Sequence, residues 1–545
     1  MDLANGAAAL ARLIRSWTDG PAFHVPGEGI LELLDALEGA GVPLVSCRHE
    51  AGAAVAAQAA GHVTGRPGLC LVGRAPGALN TALALHTART DGAPMILIIG
   101  QPPRAIAGRE AYLGDEFAQA FGVSAKGVGT CSSAARLVET VSCAWAQAMS
   151  GQRGPVVLAI HEEVWGEEIP LASLPATPPV VPRPQASEAD LALIIATLAQ
   201  ARRPLIIAGG TGWSAAEASA LGRFAKVTGI PVATAYRRRD LMASDCPLFA
   251  GELGIGADPS LLRRVGESDG VLVLGMRLGE INTFGATAFE GYRLFDAPVP
   301  AQPVIHVHPD PAELNATYRT TGAVLAHPGD VLAQLLTRDF PEHELGDWQI
   351  ALRSARDAFT EGRPCPGPLD LRAVFRTLRA ALPEDAMLTV GAGAYAHWPQ
   401  RYFPHSVFGT QLGPKSGAMG YGLPAAIGVQ AAQPGRRVVA VAGDGCFMMQ
   451  GEELATAALY QLPILVIVVN NSLYGAIAAS QSRIFGRRSG TALAPVDFTA
   501  LAGAMGVKGW KVRATAAFGP ALAAALAERG PTLIELITSE EALKP

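Results

Sequence analysis

The sequence predicts an α/β protein made of three doubly wound parallel-sheet domains. Three observations lead there. Two proline clusters, Pro175-Ala-Thr-Pro-Pro-Val-Val-Pro-Arg-Pro184 and Pro364-Cys-Pro-Gly-Pro368, lack amide donors and favour extended backbone, so they read as linkers. They leave three blocks of similar size, 1–176, 187–345 and 366–545. Each block alternates short β-branched apolar runs with alanine-rich stretches, the pattern of a parallel sheet covered by helices on both faces. The 61 glycines and 40 prolines among 545 residues suit many tight strand–helix turns and are too many for a helical bundle.

In the first block, the opening MDLANGAAALARLIRSW has the spacing of an amphipathic helix. It has no basic stretch before an apolar block, so no secretory signal is expected. Leu69–Val72 and Met95–Ile99 read as buried strands. In the second block the strands are Leu205–Ala208, Val271–Leu274 and Val304–Val307. In the third they are Val438–Val441 and Ile464–Val469. Blocks one and three each run from a strand through a glycine-rich turn into a helix, in LVGRAPGALN and AVAGDGCFMMQ, which hints that the two are related.

Composition excludes several functions. With 49% hydrophobic and 17% charged residues the chain buries a large core. Its net charge of −5 argues against nucleic acid bound by bulk electrostatics and against a polybasic membrane anchor. The longest apolar run, Leu462 to Val469, falls far short of the roughly 20 residues a membrane span needs. The seven cysteines are odd in number and none forms CxxC. They read as reduced thiols of a cytoplasmic protein with no zinc site.

The chemistry concentrates in the third block. Gly443-Asp444-Gly445 follows an apolar strand and so lies at a strand's carboxyl end, where open α/β sheets bind ligands. Asp444 is a hard oxygen donor suited to Mg²⁺. A second strand ends in Asn470-Asn471, and Asn471 lies 27 residues after Asp444. A strand, a helix and a strand fill that interval and bring both tips side by side. A carboxylate, an amide oxygen and a carbonyl near Leu473 then suit one octahedral cation bridging a diphosphate. The plainer alternative is a turn followed by a helix cap.

This ordered pattern resembles the binding motif of the thiamin diphosphate (ThDP) enzyme family, and other segments agree. His49-Glu50-Ala-Gly-Ala is similar to the family's glutamate motif. Gly417-Ala-Met-Gly-Tyr-Gly-Leu-Pro-Ala-Ala-Ile-Gly428 is similar to its pyrimidine cradle. Phe447 to Ala457 and Leu462 to Asn471 are similar to the acetohydroxyacid (acetolactate) synthase branch. The resemblance implies pyrimidine-binding, central and diphosphate-binding domains, and active sites between two chains of a homodimer or homotetramer. It implies that Glu50 bonds the pyrimidine N1′ and favours the imino tautomer, whose 4′ nitrogen takes the thiazolium C2 proton. Met419 would bend the cofactor, and the Gly417 carbonyl would accept from N4′. Val25 and Pro26 would lie near the pyrimidine. Ala394, Tyr395, Gly443, Gly445, Cys446, Tyr474 and Gly475 would hold the diphosphate, with Asp444, Asn471 and Leu473 on the metal.

The sequence departs from the family where the substrate is chosen. The GPG loop reads Arg74-Ala-Pro-Gly77. The synthase's active-site Gln falls on Leu113, and its size-sorting Trp falls on Ser480, beside Ala476 and Ile477. His24, Arg74, Tyr112, Asp115 and His397 are the nearby polar candidates, each weighed against an ordinary core or loop role. In the central block, His306 and His308 share one strand face, where a core role outweighs a metal. Ala208-Gly-Gly-Thr-Gly-Trp213 suggests a nucleotide site without full GxGxxG spacing, and some relatives bind FAD there; Arg277 is retained, but its neighbours differ. The expectation is a ThDP- and Mg²⁺-dependent enzyme that makes or breaks a C–C bond beside the carbonyl of a 2-oxo acid or acyloin. The alternatives are benzaldehyde-lyase-like cleavage, a nucleotide-binding oxidoreductase and a non-catalytic binding module.

Overall fold

The strands expected from buried apolar runs form, and each gains a residue or two. A computed structural model describes residues 2–114, 116–286, 290–340 and 346–545. The chain forms two compact units, one of Met1–Val181, Leu388–Ala394 and Ser416–Glu540, the other of Pro182–Met387, Tyr395–Lys415 and Glu541–Pro545.

The first unit holds two parallel sheets. In the first, six strands run in the order Leu44–Ser46, Ala22–His24, Gly68–Val72, Met95–Gln101, Pro155–His161, Gly127–Cys131. The other has Val438–Gly443, Ile464–Asn470, Thr532–Ile537 and Lys508–Val512 as successive neighbours. Gly68–Val72, Val438–Gly443 and Ile464–Asn470 are buried along their whole length. This is why they read as unbroken apolar runs and not as alternating ones. The opening helix is Gly6–Trp17, capped by the Asn5 side chain accepting from the Ala8 amide at 2.8 Å. It packs Leu10, Leu13 and Trp17 into a core with Trp145 and Trp165.

Two helices cross inside this unit. Glu50–Thr64 comes from the first sheet's half, and Gly422–Ala432 comes from the other. Both are rich in alanine and glycine on the shared face, so the backbones approach closely. A Cβ placed on Gly428 would lie 2.7 Å from the carbonyl carbon of Ala56 and 2.8 Å from its Cα. Beside this crossing, the Tyr421 hydroxyl donates to Gln58 Oε1 at 2.7 Å, and Gln58 Nε2 donates to Asp91 at 3.2 Å, all three buried.

The second unit is built on a six-stranded parallel sheet, ordered Phe249–Glu252, Val232–Thr234, Pro204–Ala208, Gly270–Leu274, Val304–His308, Gly322–Leu325. His306 and His308 share one face of their strand and are buried, and burial lowers both to about 4. His306 Nε2 bonds the Met276 carbonyl at 2.9 Å and His308 Nδ1 accepts from the Asp310 amide at 3.1 Å, so both act as core histidines. The linker residue Arg183 is tied to Glu217 at 2.6 Å and Asp330 at 3.0 Å. None of the seven cysteines, all among the described residues, is in a disulfide.

Candidate active site

The turns that carry Asp444 and Asn471 follow neighbouring strands. Strands Val438–Gly443 and Ile464–Asn470 are parallel neighbours, with Gly443 opposite Val469. Asp444 therefore sits beside the turn that follows Asn470. Its carboxylate is 6% exposed, and the amides of Gly445, Ser472 and Leu473 point at it. Burial pushes its carboxyl above the ordinary range, while those amides pull the other way. Its Oδ2 is buried and has no partner. An orphaned, buried carboxylate oxygen is a hard donor that a divalent cation would satisfy. The residues fit Mg²⁺ on that ground.

The two asparagines divide their work. Asn470 is buried and its amide donates to Glu535 at 2.8 Å, so it serves the sheet. Asn471 is only half-buried, and its Oδ1 accepts from the Leu473 amide at 3.2 Å in a tight Asx turn. Ser472 between them takes φ +54°. This conformation turns the chain sharply after the strand and brings the Leu473 backbone to Asp444. Tyr474 then occupies the position before the helix Gly475–Phe485, which carries Ala476, Ile477 and Ser480. Ile477 is 56% exposed. The Ser480 hydroxyl donates back to the Ala476 carbonyl at 3.1 Å.

Gly445 has a packing reason as well. A Cβ there would meet the Tyr474 ring at 2.8 Å and Leu493 at 3.0 Å. Cys446 is buried, and its Sγ accepts from the Gly420 amide at 3.2 Å. That bond joins the Gly443–Cys446 turn to the segment holding Gly417 and Met419. Gly417 has φ +76° with open space on its Cβ side, and Met419 is half-buried. Ala394 and Tyr395 form a buried 3-10 turn, Ala394–Ala396.

Glu50 opens the helix Glu50–Thr64, whose first amides are capped by His49 Nδ1 accepting from Ala51 at 3.1 Å. Its Oε2 accepts from Asn80 Nδ2 at 2.9 Å. Gly77 leaves room for Oε1, since a Cβ there would lie 2.6 Å away. Burial raises the Cys70 thiol in the adjacent strand, and the charge of Glu50 adds to it. Val25 and Pro26 leave the strand Ala22–His24, and their loop touches the next, Gly27 against Gly73. Gly77 is the last residue of the loop read above as the GPG counterpart, whereas the roles of Asn80 and of Glu453, which bonds the turn before Glu50, are not marked in the sequence. A glycine at Gly52 beside a glutamate was the available signal, because its missing Cβ makes way for Glu453.

The other polar candidates have structural partners. Arg74 is paired with Glu162, and its guanidinium donates to the Tyr112 carbonyl at 3.2 Å. Tyr112 is 77% exposed. Leu113 sits at φ +59°, its carbonyl accepting from Ala75 at 2.9 Å. His24 is buried, bonded to Ser46 at 2.9 Å, and lowered by burial. His397 lines a cavity of about 310 Å³ in the second unit with Arg401 and Lys544, and burial lowers it to about 4. Asp115 lies outside the described residues. The glycine-rich turn after Pro204–Ala208 is tightly packed. A Cβ on Gly210 would lie 2.8 Å from the Gly275 carbonyl carbon, Trp213 Nε1 donates to Gly209 at 2.7 Å, and Arg238 donates to Gly210. The turn's glycines serve backbone packing.

Comparison with known proteins fixes the class. Residues 4–121 match the thiamine pyrophosphate enzyme N-terminal TPP binding domain, 191–335 the central domain and 391–536 the C-terminal TPP binding domain. The chain belongs to the thiamine pyrophosphate (ThDP) enzyme family, and within it to the acetolactate synthase type. It is 30% identical to the acetolactate synthase large subunit of Parasynechococcus marenigrum, covering 98% of this chain and 87% of that one. It is also 30% identical to the isozyme 2 large subunit of Escherichia coli, covering 98% and 96%. A putative thiamine pyrophosphate-containing protein, YdaP of Bacillus subtilis, is 28% identical over 98% and 91%.

Proposed function

We propose that this ThDP-dependent enzyme uses Mg²⁺ to make or break a C–C bond next to a carbonyl, in a 2-oxo acid or acyloin bulkier than pyruvate. The observation that carries the cofactor assignment is the orphaned Asp444 oxygen facing the Ser472–Leu473 turn. Asp444, Asn471 and the Leu473 carbonyl would hold the metal. Ala394, Tyr395, Gly443, Gly445, Cys446, Tyr474 and Gly475 would hold the diphosphate. Val25, Pro26, Gly417 and Met419 would hold the pyrimidine end. When bound, ThDP supplies the nucleophilic carbon and the electron sink. Glu50 would share a proton with the pyrimidine N1′; Asn80 holds one of its oxygens and Gly77 leaves room for the other.

The substrate reading rests on what Leu113 and Ser480 withhold. Leu113 presents an alkyl group where the synthases place an amide. Ser480 spends its hydroxyl on its own helix. Losing a buried hydrogen-bond partner costs about 1–3 kcal/mol, roughly one to two powers of ten in rate if felt only in the transition state. The resemblance puts Arg74, Tyr112, Ala476 and Ile477 at the same substrate, and such a pocket would favour a larger, more apolar acyl group. We further propose domain limits of 1–176, 187–345 and 366–545, active sites shared between chains of a homodimer or homotetramer, and a cytoplasmic location. No described helix is long and apolar enough to cross a membrane. Steady-state assays across 2-oxo acids and acyloins, with product analysis, test the substrate: kcat/KM is expected to be higher for a bulky or aromatic substrate than for pyruvate. Acetolactate formation from pyruvate above about 10⁴ M⁻¹s⁻¹ would refute it.

A further inference from the structure

A fully buried carboxylate near the candidate site belongs to Glu453, which the chemistry above leaves unused. It is 0% exposed at the start of the helix Glu453–Leu459. One oxygen, Oε1, accepts from two consecutive amides, Arg48 at 3.1 Å and His49 at 3.0 Å. The other accepts from the Thr456 hydroxyl at 2.6 Å. No cation pairs with it among the described residues, and burial raises its carboxyl. A Cβ on Gly52 would lie 2.6 Å from the Glu453 Cδ and 2.8 Å from its Cγ, so the helix of Glu50 closes directly onto this side chain.

A carboxylate buried without a cation is an expensive way to satisfy two amides. Its position explains it. The two amides belong to the residues just before Glu50, and with both held, the turn has one orientation. His49 then caps the helix, and the Glu50 Cα is fixed as the first helical residue. Glu453 also lies nine residues beyond Asp444, on the segment that leaves the metal-side turn. Resting on the cofactor reading above, we infer that Glu453 is a positioning residue for Glu50, bracing the turn that aims its carboxylate against the segment that carries the diphosphate site.

The role is geometric, so the shape of the side chain matters and its charge does not. Glu453→Gln keeps an oxygen for both amides and an NH₂ group for Thr456. Glu453→Asp keeps the charge but withdraws the acceptor by one methylene, about 1.5 Å by ordinary bond lengths. The assay measures ThDP affinity by calorimetry, exchange of the C2 proton of bound ThDP by NMR, and deuterium uptake at the Arg48 and His49 amides. Glu453→Asp should bind ThDP within about threefold of wild type, exchange C2 at least tenfold more slowly, and take up deuterium faster at residues 48–49, as expected for a displaced base. Glu453→Gln should restore C2 exchange to within about threefold. Wild-type C2 exchange in Glu453→Asp overturns the inference. So does a Glu453→Gln as slow as Glu453→Asp, which would make the charge the active feature. A wild-type chain that binds no ThDP overturns the cofactor reading itself, and the inference with it.

Discussion

Gly428→Ala should damage both stability and catalysis through one contact. The added Cβ would lie 2.7 Å from the Ala56 carbonyl carbon and closer still to its oxygen. Carbon atoms pack at about 3.5–4.0 Å, so the helices Glu50–Thr64 and Gly422–Ala432 must separate by about 1 Å. Backbone lies on the Ala56 side, so no rotamer change relieves the clash. Overpacking typically costs 1–3 kcal/mol, and a backbone obstacle puts this case near the upper end, about 3 kcal/mol. At roughly 2 °C per kcal/mol for a large domain, Tm falls by about 6 °C. Glu50 lies six residues before Ala56, about 9 Å along a stiff helix, so it moves with the crossing. A 1 Å misplacement of a catalytic group costs up to about 10²-fold. C2 proton exchange of bound ThDP should therefore slow by about 10- to 100-fold. The assay is differential scanning calorimetry with NMR exchange at saturating ThDP. Gly435→Ala is the control, because nothing lies within 4 Å of its Cβ position. A Gly428→Ala protein within 1 °C of wild type and exchanging at the wild-type rate would refute the close-crossing argument.

Three further outcomes are expected. Asp444→Ala should lose Mg²⁺-dependent ThDP binding, because it removes the orphaned oxygen; wild-type affinity by calorimetry would contradict the metal assignment. Glu50→Gln should still bind ThDP but slow C2 exchange by at least about 10²-fold, in the range of general acid–base contributions; unchanged exchange by NMR would remove Glu50 from its role. His306 and His308, lowered to about 4 by burial, should make the second unit acid-sensitive. Below about pH 6.5 the unfolded chain takes up protons that the folded chain refuses, so stability falls as pH drops from 6.5 to 4. The slope approaches about 1.4 kcal/mol per pH unit for each histidine, and His306→Gln should flatten it in urea titrations.

What the sequence revealed depended on range. Strands such as Val438–Gly443 were legible because burial on both faces writes a continuous apolar run. Gly127–Cys131, half-exposed and reading Gly-Val-Gly-Thr-Cys, carries no such signal, and three-residue strands such as Leu44–Ser46 are too short for one. The meeting of Asp444 with the Ser472–Leu473 turn was legible because one strand–helix–strand unit spans it. Glu453 on the amides of Arg48 and His49 was not, since more than 400 residues separate the partners. Arg74 reads as a pocket cation because Glu162, the carboxylate that holds it, lies 88 residues on.

The first unit is assembled from three stretches of chain, and its central helix crossing joins Ala56 to Gly428. During synthesis the amino-terminal sheet is complete some 250 residues before its crossing partner leaves the ribosome. For that interval the alanine-rich face of Glu50–Thr64 stays uncovered. Contacts of such sequence separation form late and slowly, and a nascent chain holding an open apolar face is prone to aggregate. Yield on expression should therefore respond to chaperone supply and to temperature more strongly than the finished protein's stability would suggest.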